Sequence, residues 1–240
     1  MTKLYQKLIK SSPSEAEVRK GLKKVYSSIP QKPGKRMLMN ILSVIDLTSL
    51  NTTDSKTSIL QFPHLLLGVA AIFFDVGVEY TALGSINDFA AILGLPSPHN
   101  YVWFVSGGMV MGYLIGVMFI PKYISQGRAL LFSTIAAIVV TIAIMIFPGK
   151  ISVYLVGLLG LANALLWPAI WPLAIADLGK FTKMGSSLLV TGIIGGAFLP
   201  LLFGYIADIA SHQTAYVVCL PAYFYIMYYS LSGSKIRTGK

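Results

Sequence analysis

The chain is poor in charge. Only 12% of its 240 residues are Asp, Glu, Lys or Arg, against about 25% in an ordinary soluble domain. That excludes a globular surface clothed in polar groups. Acids are scarcest: nine, against nineteen Lys and Arg, for a net charge of +10. This excess is no DNA-binding face, because eleven of the nineteen lie in the first 60 residues and the rest in short links or the tail; no nucleic-acid partner is expected. A single cysteine, Cys219, excludes an intrachain disulfide and a cysteine-based metal site. The three histidines (64, 99 and 212) stand far apart in sequence, and no HExxH, GxSxG or P-loop pattern occurs. Catalytic residues, metal and cofactor are all read as none, and the chain is not read as an enzyme. The first 20 residues lack the continuous apolar core of a signal peptide.

What is abundant is apolar sequence: 55% hydrophobic residues and a mean hydropathy of +0.71. Crossing a bilayer as a helix takes about 20 apolar residues. Six stretches qualify, roughly Phe62–Asn87, Tyr101–Ile120, Ala129–Phe147, Ile151–Ala176, Gly185–Asp208 and Ala215–Leu231. The links between them are short and rich in turn formers, which makes sequential helices antiparallel neighbours. The expected fold is an all-α integral membrane protein, a six-transmembrane-helix bundle. Lys and Arg fall on alternate sides: the N-terminal segment, Lys122 and Arg128, Lys180 and Lys183, and the tail on one, only Lys150 on the other. By the positive-inside rule both termini face the cytoplasm.

The division expected is a basic cytoplasmic arm and linker over 1–60, a transmembrane domain over 61–232 and a cytoplasmic tail over 233–240. Within the arm, "SSPSEAEVRKGLKKVYSSIP" (11–30) reads as an amphipathic helix. Ser12 can cap it, Pro13 suits its first turn, and Val18, Leu22, Val25 and Ile29 share one face. Its other face is basic, so it either lies on an anionic leaflet or stays solvated. Residues 37–47 are too short to span.

Polar groups inside the apolar runs carry the functional reading. Asp75 and Glu79, four apart in the first span, sit about 40° from each other on one helix face. A carboxyl at the bilayer centre costs about 3 kcal/mol on insertion scales. Two on one face call for a polar cavity, a shared proton or cationic neighbours: either an ion or proton pathway or a structural pair bonded to other helices. Asn87 and Asp88 lie near the outer mouth. The fourth span holds "NALLWPAIWPLAIADLG" (163–179). Asn163 offers two donors and an acceptor, Trp167 and Trp171 share a face, and Pro168 and Pro172 each remove a backbone donor. Carbonyls freed at membrane depth are tolerated where protein or a water-filled cavity receives them. Indole faces beside an amide suit a sugar ring and its hydroxyls. The bland readings are an interhelical hydrogen bond for Asn163 and interfacial anchoring for the indoles. Gly192 and Gly196, with Gly195 between, and Gly107, Gly108, Gly112 and Gly116 read as close-packing seams.

These residues also carry a resemblance. "GLANALLWPAIWPLAIADLGKFTKMGSSLLVTGIIGGAFLPLLFGYIAD" (160–208) resembles the tenth and eleventh helices of sugar transporters of the major facilitator superfamily, in the fucose:proton symporter and bacterial glucose/galactose transporter group. "FPHLLLGVAAIFFDVGVE" (62–79) looks like that group's seventh helix, F-x-Y-V-G-x-E, with Glu79 on the acid and Asp75 replacing an aromatic. "GYLIGVMFIPKYISQGRALL" (112–131) is similar to its eighth helix and the following basic loop, and "LPAYFYIMYYSLSGSKIR" (220–237) to its twelfth.

The resemblance implies one six-helix half, the C-terminal one, of a secondary active hexose transporter working by alternating access. The hexose would be glucose-, galactose- or fucose-like, and the driving ion a proton or another cation. It implies Asn163, Trp167, Glu79 and Asn87 as substrate-binding, with Asp75 and Glu79 as ion- or proton-coupling candidates. Implied partners are the hexose, the lipid bilayer and an N-terminal half or a second copy, in a bacterial inner membrane. The family's main coupling acids lie in the other half, so Asp75 and Glu79 do not inherit that role by position. A six-span scaffold or channel-like protein without sugar transport is the competing expectation.

Overall fold

The computed structural model describes residues 61–237. The readings made on the arm and linker lie outside the described residues. Every regular element among the described residues is helical. Six helices are long and apolar enough to cross a membrane, spanning Pro63–Ile92, Pro98–Phe119, Gln126–Ile146, Lys150–Ile175, Gly179–Ile209 and His212–Lys235. We label the main segments α1 (Pro63–Ile92), α2 (Val102–Phe119), α3 (Gln126–Ile146), α4a (Lys150–Asn163), α4b (Leu166–Ile175), α5a (Thr182–Thr191), α5b (Gly195–Ile209) and α6 (Cys219–Leu231).

Boundaries shift where turn chemistry outweighs hydropathy. α1 opens on Pro63, whose missing N–H costs nothing in a first turn. It runs past the expected end at Asn87 and stops before Gly94, which adopts φ +64°. The fifth span begins at Gly179 rather than Gly185, because Gly179–Phe181 forms a 3-10 turn leading directly into α5a.

α1 is the central helix. It packs on α2, both parts of α4, both parts of α5, and α6, while α3 closes the bundle against α4 and α6. Over an 18-residue apolar stretch of each span, 56% of residues are buried in the first and 61% in the fourth, but only 17% in the second and 28% in the fifth. α2 and α5 are therefore marginal helices, each bedded on one neighbour along a glycine seam. On α5b, a Cβ at Gly195 would fall on the Phe73 carbonyl, and one at Gly192, just before it, would come within 2.8 Å of the Val69 carbonyl. On the α2–α4a seam, a Cβ at Gly160 would meet the Val105 carbonyl, and one at Gly108 would lie 2.9 Å from the Leu161 nitrogen. Small residues let the backbones approach this closely, so packing can hold where lipid supplies no hydrophobic drive.

α4 is broken at Ala164 and Leu165, one turn before Pro168. Pro168 has no N–H to donate to the Ala164 carbonyl, which accounts for the break lying there. The fifth span is interrupted by a 3-10 turn at Gly192–Ile194.

Both ends are tied down. Where the described chain begins and ends, His64 Nε2 and Arg237 Nη1 each lie 2.9 Å from the Ala176 carbonyl oxygen, and Arg237 pairs with Asp177 at 3.1 Å. At the opposite end, Gln213 Nε2 donates to the Ile144 and Phe147 carbonyls at 2.8 and 2.9 Å.

Candidate functional site

Three polar side chains meet near the midpoints of three helices. Asp75 on α1 is fully buried, and neither carboxyl oxygen has a hydrogen-bond partner among the described residues. Asn163, the last residue of α4a, is 2% exposed. Its Oδ1 accepts from the Tyr223 hydroxyl of α6 at 2.8 Å, and its Nδ2 has no partner among the described residues. Tyr223 is itself fully buried and close enough to Asp75 to feel its charge. The patch thus holds an unused donor and an unused carboxyl in a place where each is costly.

A second layer is more open. Glu79, one turn beyond Asp75, is half-buried. Tyr113 of α2, 40% exposed, lies on the side of the two carboxyls. Trp167, one turn beyond Asn163, is partly buried and stacks on Trp171, with ring centroids 5.6 Å apart and planes 18° from parallel. The stack stands directly after the α4 break, so the indoles sit on the segment α4b that the break allows to tilt. The expected substrate residues thus divide. Glu79 and Trp167 are partly buried, while Asn163 is buried and bonded to α6.

Asn87 is elsewhere. Its Oδ1 accepts from the Val102 nitrogen at 2.9 Å, tying the C-terminal part of α1 to the first turn of α2. That bond satisfies one of the orphan donors of a helix start.

Tyr223 was missed from the sequence, where it is one of four tyrosines in "YFYIMYY". The signal was periodicity. Cys219, Ala222, Tyr223, Ile226, Tyr229 and Ser230 form one buried face, and a buried phenol needs a partner. Two apolar clefts, about 330 Å³ between α2, α3 and α4 and about 560 Å³ between α2 and α4a, contain none of the expected site residues. Among the described residues no group of His, Cys, Asp and Glu could hold a metal ion.

No established family profile matches the sequence. Curated relatives do. A glucose/galactose transporter of Brucella abortus (strain 9-941) is 35% identical over 181 residues, 73% of this chain and 43% of the relative. A putative glucose/galactose transporter of Helicobacter pylori (strain ATCC 700392 / 26695) is 30% identical over 209 residues, 83% of this chain and 51% of the relative. Among solved structures, a Major Facilitator Superfamily transporter, FucP, in the outward conformation superposes with a TM-score of 0.66 at 22% identity, over 70% of this chain and 41% of that one. The chain is similar to these transporters. It is a multi-pass membrane protein with the helical fold of the solved one, and it spans about half the length of the curated relatives it matches. The proteins it resembles are named as transporters, in keeping with a chain that offers no nucleophile–base pattern.

Proposed function

We propose that this chain is one six-helix half of a secondary active transporter that moves a glucose-, galactose- or fucose-like hexose by alternating access, coupled to a proton or another cation. The observation that carries the reading is the mid-span patch: a buried carboxyl and a buried amide donor, both without a partner among the described residues, beside a broken helix that presents two stacked indoles. Intramembrane ionisable groups are costly enough to mark solute or proton pathways, and discontinuous helices recur at the binding sites of transporters. The names of the bacterial relatives supply the substrate class.

In this reading Trp167 stacks on the sugar ring and Glu79 accepts from its hydroxyls. Asn163 joins them when α4b tilts at the break. Asp75 carries the coupling proton, with Glu79 as its outlet. Asn87 holds the mouth between α1 and α2 and lies beside the sugar path. Residues 61–232 form the membrane unit, flanked by the arm over 1–60 and the tail over 233–240. Both termini face the cytoplasm of a bacterial inner membrane, as the Lys and Arg bias requires. The uncovered faces of α2 and α5 meet a second six-helix unit, an N-terminal half or another copy.

The test is uptake of labelled glucose, galactose and fucose into proteoliposomes that hold this chain, with and without an inward proton gradient. Saturable uptake is expected, faster with the gradient. Well-folded protein that neither binds nor moves any of the three would sink the sugar reading and leave the scaffold alternative.

A further inference from the structure

A side-chain amide is nearly symmetric in shape and opposite in chemistry at its two ends. Which end faces a ligand decides whether the site donates or accepts. Asn163 stands on the last turn of α4a with one end tied, since Tyr223, reaching across from α6, donates to Oδ1 at 2.8 Å. No other side chain contacts the amide through a hydrogen bond among the described residues, and Nδ2 is buried and unpaired. The phenol ring is fully buried and so cannot swing away to release the tether.

We infer that Tyr223 is a positioning residue for the transport site, holding the Asn163 carbonyl oxygen so that the amide NH2 is the end offered to substrate. This rests on the sugar-transport reading and sharpens it. Asn163 then presents hydrogens only, and takes an oxygen that accepts. The complementary acceptor lies on α1, at Glu79. A hydroxyl accepts from α4 and donates to α1 at once, so the arrangement selects an alcohol over an ether or a carboxylate, which only accept, and over an ammonium, which only donates. α6 contributes without touching the sugar, by fixing the residue just before the α4 break while the segment beyond it remains free to tilt.

The test uses the full chain in lipid nanodiscs, with equilibrium binding of labelled glucose and galactose and the thermal midpoint of each variant. Tyr223→Phe keeps the ring and removes the tether. It is expected to fold and to bind about tenfold more weakly, the scale of one lost hydrogen bond. Asn163→Ala should bind at least as weakly, and the double variant no worse than Asn163→Ala alone, because a tether without its amide has nothing to position. A merely structural tyrosine would lower the midpoint and leave the affinity of the folded protein unchanged. Wild-type affinity in folded Tyr223→Phe, or losses that add in the double variant, would overturn the inference alone. Absence of binding by the wild-type chain would overturn the sugar reading and the positioning role with it. Should Tyr223→Phe not fold, Asn163→Asp serves instead. It keeps an acceptor for the tyrosine and lacks the NH2, so binding is expected to be lost, and retained binding would overturn the inference.

Discussion

The first and fourth spans and the second and fifth are all apolar enough to cross a membrane, yet they do opposite things with that sequence. The first and fourth are mostly buried and carry Asp75, Glu79 and Asn163, the polar groups at mid-span. The second and fifth leave most of their side chains uncovered: Val117 is 82% exposed and Leu201 74%. Hydropathy alone does not separate a helix that faces its own bundle from one that faces outward, because lipid tails and leucine are equally apolar. What separates them is where glycines let backbones touch and where polar groups force a partner.

The sharpest way to break the comparison is to widen a seam. Gly195→Leu and Gly160→Leu place carbon on backbone carbonyls that no rotamer change can move away. Overpacking typically costs about 1–3 kcal/mol or more, and these contacts are with backbone, so a large fall in thermal midpoint or outright loss of folded protein is expected. Scanning fluorimetry in detergent reads it. The same change at Gly204, whose Cβ meets nothing within 4 Å, should leave the midpoint nearly unchanged. Equal losses at all three positions would show that the seams are not what holds the marginal helices.

Next comes the buried carboxyl. With no partner for either oxygen among the described residues, Asp75 contributes nothing to stability by hydrogen bonding, and an Asn of nearly the same size and polarity costs about the same to bury while losing the ability to take up and release a proton. Asp75→Asn is therefore expected to keep the midpoint while abolishing gradient-driven accumulation of sugar in proteoliposomes. A lower midpoint with intact accumulation would make Asp75 a structural residue. Asn163→Ala separates from it in the opposite sense. The Tyr223 bond is lost, and the midpoint should fall by the equivalent of about 0.6–2 kcal/mol.

These pairs also mark what the sequence made legible. The six spans, their order and the small-residue seams follow from hydropathy, turn formers and glycine spacing, since each is a local property. The partner of each polar group was not legible. Asn163 finds its hydroxyl 60 residues away on α6, and nothing local to either residue announces the pairing. Asn87, expected at the outer mouth and as a substrate residue, lies toward the end of α1 with its acceptor spent on the Val102 nitrogen, a use visible only once the α1–α2 turn is folded. The break in α4 was half legible: the two prolines announced a disturbance, and the break falls one turn earlier, at the carbonyl that Pro168 leaves without a donor.

A smaller effect is expected at the end where the described chain begins and ends. Arg237 is part-exposed and Asp177 mostly exposed, so their pair belongs to the class worth about 0–1 kcal/mol. The Ala176 carbonyl also keeps His64 beside it when Arg237 is removed. Arg237→Ala should lower the midpoint slightly at low salt, and the difference from wild type should shrink as salt screens the wild-type pair. A large, salt-independent loss would mean that the tail is bound by packing rather than charge.

The smallest expected effect bears on the comparison most directly. Val117 of α2 is 82% exposed and sits away from both seams. Val117→Trp should change the midpoint of the isolated chain by less than the equivalent of about 0.5 kcal/mol, as surface substitutions do. Its effect on uptake then says what covers α2 in the membrane. If the uncovered face meets lipid, an indole there is tolerated and uptake is unchanged. If it meets a second six-helix unit, the larger side chain disturbs that contact and uptake falls while the chain's own stability does not. The same substitution at Ile135 of α3, which is 42% exposed on a helix that packs mainly on α4 and α6, provides the control. A fall at Val117 with none at Ile135 places the second unit against α2; equal indifference at both leaves lipid on those two faces and moves the question to the uncovered face of α5.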